Sequence, residues 1–304
     1  MSKDRNHFPY GAWMGVNAKV VATLTILVCQ IGKAEDGLPD SARLTEFPNV
    51  RQLATLAAAD LLESSGLATS ITTPHLFWTH NDSGDGPRLF AFDDSGRDLG
   101  TVSLLGITAI DWEDMASFRR DDRGWLLVAD VGDNTRRRET CQLHLLPEPA
   151  LNKRTATVHT TINFRYENGP VDCEAVGVDG TSNVVLLASK STFRCEVFAL
   201  RLPSAPSEQV LVARSIAKIS VPLATALDVS PDGTRAIVLT YADAYEFQRQ
   251  EAESWSDAFK REPQVIKMPE RKQGESICYA ADGRSLYLTS ERQPTPLWIV
   301  ERTP

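Results

Sequence analysis

No two cysteines in this chain form a CxxC pair, which leaves a clustered-thiolate metal site without ligands. A nucleophile elbow, an HExxH helix, a phosphate loop and a dinucleotide fingerprint are also missing, so covalent serine catalysis and nucleotide binding have no local support. Basic charge is short as well. Against 40 Asp and Glu stand 32 Lys and Arg, a net charge of −8, whereas a nucleic-acid partner needs cations gathered on one face. The triplet Arg136-Arg137-Arg138 is too short to change this and reads as a solvated loop. The apolar run Val20 to Ile31 falls below the roughly 18 to 20 residues of a membrane-crossing helix.

That run does fit a different segment. Lys3, Arg5 and Lys19 precede it and Gly32-Lys33-Ala34 follows, before Glu35-Asp36, which predicts a secretory signal peptide over residues 1–34. A linker over 35–42 and a single domain over 43–304 complete the expected organisation, with a secreted or periplasmic location and no stable membrane insertion after cleavage. Leu27-Val28 before Cys29 is not a lipobox. Cleavage removes Lys3, Arg5, Lys19 and Lys33 against Asp4, so the acid excess belongs to the folded part, at about −11. Cys141, Cys173, Cys195 and Cys278 remain, free to form disulfides in an oxidising compartment or to serve as small buried hydrophobes.

Helix signals are scarce after residue 62, and short β-branched and aromatic runs recur to the end, which predicts an all-β fold. A four-residue phrase repeats: Ser65-Gly66-Leu67-Ala68, Glu113-Asp114-Met115-Ala116, Glu174-Ala175-Val176-Gly177, Thr225-Ala226-Leu227-Asp228 and Glu275-Ser276-Ile277-Cys278. Its intervals are 48, 61, 51 and 50 residues. A period near 50 with four strands per unit is the signature of β-propeller blades. Turns follow at Arg123-Gly124, Asp179-Gly180, Asp232-Gly233 and Asp282-Gly283, then a second, a third and a fourth strand, the last including Thr155 to Phe164. The fifth unit lacks a fourth strand, and a strand between Arg43 and Ala57 is expected to supply it and close five blades. The insert Asp133 to Thr140 in the longest interval keeps six blades as the alternative.

In such a ring the starts of the first strands and the ends of the second strands share one channel mouth. This gathers Glu113, Glu174 and Glu275, with Asp111 and Asp172 two residues earlier, as candidate ligands of Ca²⁺, the cation suited to oxygen donors. Inner-strand acids also serve by accepting backbone N–H groups of the next blade. His80 and Asp130 are candidates to activate water. Asn81, Asp82, Asp133, Asn134, Lys190, Tyr241 and Arg292 are candidate ligand contacts, with Asp133-Asn134 readable equally as a self-capping turn and Lys190 as a counter-ion for Glu174.

The phrases Glu63 to Ala68, Thr79-His80-Asn81-Asp82-Ser83-Gly84, Asp111 to Ala116, Gly132-Asp133-Asn134, Asp172-Cys173-Glu174-Ala175 and Gly274-Glu275-Ser276-Ile277 resemble those of a group of exported bacterial propeller proteins of mostly unknown function. More distantly, the arrangement is similar to phytase-like propellers and to calcium-dependent lactonase and paraoxonase propellers. In those, carboxylates and amides at one channel mouth hold the metal. The expectations are a small-molecule or glycan ligand and a bound cation, or a Ca²⁺-dependent hydrolase of an ester, lactone or phosphoester, or a non-catalytic protein- or glycan-interaction module. No nucleic-acid partner is expected, and the oligomeric state is left open.

Overall fold

A strand needs a partner on each backbone edge or a device to protect it, and the chain meets that demand with five successive meanders. The computed structural model describes residues 49–302, which fall in one compact unit; the expected signal peptide, the linker and residues 43–48 lie outside the described residues. Among the described residues the fold is all-β, with 21 strands and one short helix. No described helix is long and apolar enough to cross a membrane.

The strand β1 (Asn49–Thr55) comes first. A meander of β2 (Ser64–Thr69), β3 (Leu76–Asn81), β4 (Arg88–Asp93) and β5 (Asp98–Leu105) follows. The second unit is β6 (Trp112–Arg120), β7 (Arg123–Asp130) and β8 (Cys141–Pro147), then β9 (Thr155–Thr157) and β10 (Thr160–Tyr166). The third is β11 (Cys173–Asp179), β12 (Val184–Ser189), β13 (Cys195–Arg201) and β14 (Leu211–Ile219). The fourth is β15 (Ala224–Val229), β16 (Arg235–Thr240), β17 (Ala244–Gln248) and, after helix α1 (Trp255–Ala258), β18 (Gln264–Ile266). The fifth is β19 (Ser276–Tyr279), β20 (Leu286–Thr289) and β21 (Pro296–Glu301). Its fourth place is taken by β1, antiparallel to β21 with Val50 opposite Val300, as the sequence led us to expect.

Two local expectations need correction. The single strand expected over Thr155 to Phe164 breaks at Val158-His159: β9 pairs in parallel with β5 of the first unit, while β10 pairs with β8 and, in parallel, with β14. That last pairing joins the second and third units into one eight-stranded sheet. The turn expected at Arg123-Gly124 falls two residues earlier. Arg120 pairs with Arg123, and Asp121 and Asp122 both take positive φ, 49° and 57°. Two consecutive left-handed residues make the hairpin turn whose twist suits the strands, and Asp tolerates that conformation better than most residues.

The repeated phrases all lie on the first strands, or directly at their start, and these strands are buried along almost their whole length. They touch in the order β2, β6, β11, β15, β19 and back to β2. Apolar packing follows the same cycle. Five separate clusters form the core, each shared by two consecutive units. The cluster around Leu67, Phe77, Cys278 and Leu297 joins the fifth unit to the first. Polar stitches reinforce it. The wholly buried Asp114 on β6 accepts the N–H groups of Val176 on β11 at 2.8 Å and Leu227 on β15 at 3.0 Å. Asp228 accepts Tyr279 N–H on β19 at 2.8 Å, and the Thr69 hydroxyl donates to Tyr279 O at 3.2 Å. The four cysteines are buried free thiols, which is the packing role read from the sequence.

Candidate functional site

The first strands begin, and the second strands end, at one common place. Asp111 and Glu113 arrive there at the start of β6 and Asp82 just after β3, and one carboxylate oxygen from each lies within 4.8 Å of the other two. Asp82 is held by its own N–H donating to Glu63 O at 3.0 Å. The loop after β7 lies against this trio. Val131 and Gly132 both donate to Asp111 O at 3.1 Å, and a Cβ on Gly132 would fall on Glu113 Oε1 and 2.5 Å from the Asp111 carboxyl. Only glycine lets the backbone pass this close.

Glu174, Glu275 and Glu291 lie near enough to one another for their charges to raise one another's pKa. Burial pushes Glu113 up to about 11, and the charges of Glu174, Asp82 and Asp111 add to it. Burial takes Glu275 up to about 8, with Glu291 and Glu174 contributing and Lys190 opposing. Glu291 rises to about 7 through burial, Asp82 and Glu63. Asp111 also rises, by burial and then Asp82. Within this crowd Lys190 spends its ammonium on Glu174, at 2.6 Å, and packs over the Tyr241 ring at 5.3 Å. Burial alone would discharge Lys190, but Glu174 outweighs it and holds its pKa above the usual lysine range. Glu174 still stands above the ordinary carboxyl range because burial exceeds the pull of Lys190. Burial and Glu275 push the Tyr241 phenol up to about 12. Asp172 joins through its neighbour: its carbonyl accepts Lys190 N–H at 2.8 Å, and its charge raises Glu174.

Other residues singled out in the sequence do different work. His80 is wholly buried, its Nδ1 2.9 Å from Asn81 O and its ring edge-on to Trp112 at 5.4 Å. Burial depresses its pKa below the usual histidine range. Asp130 is fully buried, paired with Arg138 at 2.7 Å and accepting the N–H groups of Ile110 and Asp111. Its carboxylate anchors the segment that presents Asp111. Asn81 ties the approach to β2, accepting Leu62 and Glu63 N–H groups at 2.8 and 3.0 Å and donating to Asp60 O and Asp85. Asp133 caps its own turn through Arg138 N–H at 2.7 Å, leaving Asn134 exposed at the tip. Arg292 is exposed, in a left-handed conformation with φ of 70°, on the wall of a neighbouring cavity.

Glu291 stands beside Arg292 just past the end of the fifth unit's second strand, one of the positions that the repeat gathers at the mouth, although of this pair only Arg292 was expected as a ligand contact. Gly132 carries no chemistry of its own, and its role becomes visible only once Asp111 and Glu113 are placed against it. The donor set is oxygen throughout, drawn from rigid strand ends, which fits a hard divalent cation and not a soft one. Neither a family model nor a curated protein matches this chain.

Proposed function

We propose that the chain is an exported five-bladed β-propeller that holds a divalent cation, Ca²⁺, on Asp82, Asp111 and Glu113 and binds a ligand at that acidic collar. The five-blade reading rests on the cyclic contact of the first strands and on five core clusters that each span one unit boundary. It also accounts for β1, which has no reason to travel to the last strand unless a ring must close. The distant resemblance to calcium-dependent propellers fits the same geometry.

One observation carries the cation: three carboxylates converge within 4.8 Å while the nearby cations are spent elsewhere, Lys190 on Glu174 and Arg138 on Asp130. Uncompensated acids so close repel one another, and a divalent ion removes that cost. Glu174, Glu275 and Glu291 then form the outer wall that a ligand meets. A bound Ca²⁺ supplies a positive centre that orients or polarises a carbonyl, carboxylate or phosphoryl oxygen. His80 and Asp130 take no part as bases in this reading, because one is sealed in the wall and the other is saturated by Arg138 and two N–H groups.

Calorimetric titration of the chelator-treated protein with Ca²⁺ tests the site. A single site with Kd on the order of 10⁻⁴ to 10⁻³ M suits an extracellular module, and Glu113→Gln is expected to abolish it while the fold persists. No heat with Ca²⁺, Mg²⁺ or Mn²⁺ would falsify the reading. A panel of esters, lactones and phosphoesters assayed with and without chelator decides whether the bound ion serves turnover.

A further inference from the structure

A large cavity lies not on the trio of carboxylates but beside it. About 860 Å³ in volume, it opens between the fourth and fifth units, with β1 at its far wall. That size is typical of a dedicated ligand pocket. It shares Tyr241 and Glu291 with the acidic collar, yet its character is different.

In a chain with a net charge of −8, three cations, Arg271, Lys272 and Arg292, line this one cavity against two carboxylates, Glu270 and Glu291, an excess of one positive charge. Arg271 is positioned from below, its guanidinium donating to Thr240 O at 2.9 Å and Pro269 O at 3.0 Å, and no carboxylate pairs with it among the described residues. Lys272 and Arg292 are exposed at the rim. The half-buried Trp298 forms part of the floor, and its Nε1–H has no acceptor within the described fold, nor has Arg271 Nε–H. A cavity with an aromatic floor, neutral hydrogen-bonding walls from Gln52 and Ser290, and a surplus of cationic donors asks for a ligand rich in oxygen and negative charge.

We infer that this cavity is a binding site for an acidic saccharide, a sugar bearing carboxylate or sulfate groups, with Lys272 and Arg292 meeting the anion and Trp298 and Tyr241 the ring. Hydroxyl groups of such a ligand find Gln52 and Ser290, and its charge is what the cationic rim selects. Carboxylated and sulfated sugars share this chemistry. The site stands apart from the cation on the collar: the cavity's own side chains carry it whether or not an ion is bound next door.

The test uses the full chain and three probes of similar length: an oligogalacturonate, a heparin-derived oligosaccharide and a neutral cello-oligosaccharide, each titrated by calorimetry with and without EDTA. At least one acidic probe is expected to bind, with affinity falling as salt rises, and the neutral probe at least tenfold more weakly. Which acidic probe binds more tightly identifies carboxylate or sulfate as the preferred group. Lys272→Glu combined with Arg292→Glu, both surface changes, is expected to cost tenfold or more while melting behaviour stays unchanged. Failure of both acidic probes to bind, equal binding of the neutral probe, or an unaltered affinity in the double variant overturns the assignment. Binding that EDTA abolishes and the double variant leaves intact places the sugar on the collar, which sinks the cavity proposal and leaves the cation reading standing.

Discussion

Gly132 sets how closely backbone approaches the proposed cation ligands, and it is the least conspicuous residue there. Its missing side chain leaves room for the far ends of Glu113 and Asp111, groups that can swing aside. Gly132→Ala is therefore expected to leave the melting temperature within a few degrees of the parent but to weaken Ca²⁺ binding at least tenfold, because the displaced carboxylates lose their common focus. Calorimetry and a thermal melt on the same sample check both halves, and unchanged affinity refutes the close approach. Asp114 is the opposite case, a residue of the same repeated phrase whose carboxylate serves the fold. It accepts Met115, Val176 and Leu227 N–H groups at 2.8, 2.8 and 3.0 Å, and so ties three first strands at one point. Asp114→Asn turns an amide N–H₂ toward at least one of those donors, and the expected cost is about 1–3 kcal/mol by urea denaturation. The cation affinity should be preserved, since Asp114 faces away from the trio.

At the scale of elements, β1 is the strand whose removal is most informative. Among the described residues it is bonded along one edge only, to β21, and it covers a backbone row that would otherwise be open to a second chain. A chain lacking residues 49–55 is expected to melt on the order of 5–10 °C lower and to self-associate as concentration rises. Sedimentation across a concentration series reads this directly; a monomer with the parental melting temperature removes the closure argument. The strand order was legible because each unit writes its own punctuation: Asp-Gly turns at 232–233 and 282–283, with Gly233 and Gly283 at positive φ as those turns require. Legibility failed where pairing is not local. Nothing in the run Thr155 to Phe164 says that its first three residues belong with β5, roughly fifty positions earlier, since a parallel pairing carries no turn signal. The hairpin at Asp121-Asp122 was misplaced for a related reason: the eye follows glycine, while here two aspartates adopt the left-handed conformation.

For the whole molecule, the sequence located the acids but not their division of labour. The repeat brought Glu113, Glu174 and Glu275 to one end, and Lys190 as the counter-ion of Glu174 was one of the two readings the sequence offered; no periodicity states that Asp82 completes the trio or that Arg138 consumes Asp130, because those choices depend on side-chain reach across units. The collar as a whole has a pH signature whose sign can be worked out. Glu275 and Glu113 have folded pKa values of about 8 and about 11 against an ordinary 4.5. Without a cation, the folded state keeps protons that the unfolded chain has already released, so stability falls as pH rises above 4.5 toward the folded values. Two other sets of groups would blur this. His80 and His144, both depressed by burial, work in the opposite direction but only below about pH 6.5. Cys141, Cys173, Cys195 and Cys278, all raised by burial, add a fall of their own only above about pH 8.5. Between pH 7 and 8.5 the fall comes from buried carboxyls: Glu275 and Glu113, with Asp114, which burial holds well above its ordinary range, and Asp228, taken by burial up to about 7, adding to it in the same direction. Chelator-treated protein is expected to lose melting temperature across that window, Glu275→Gln to lose less, and Ca²⁺-loaded protein to lose least, since the ion replaces the departing protons. Binding should also release protons, seen as an enthalpy that varies with the ionisation heat of the buffer. A melting temperature flat from pH 7 to 8.5 in the chelated protein would mean that the collar's acids are already ionised without a metal, and that the repulsion assigned to the cation site is not there to be relieved.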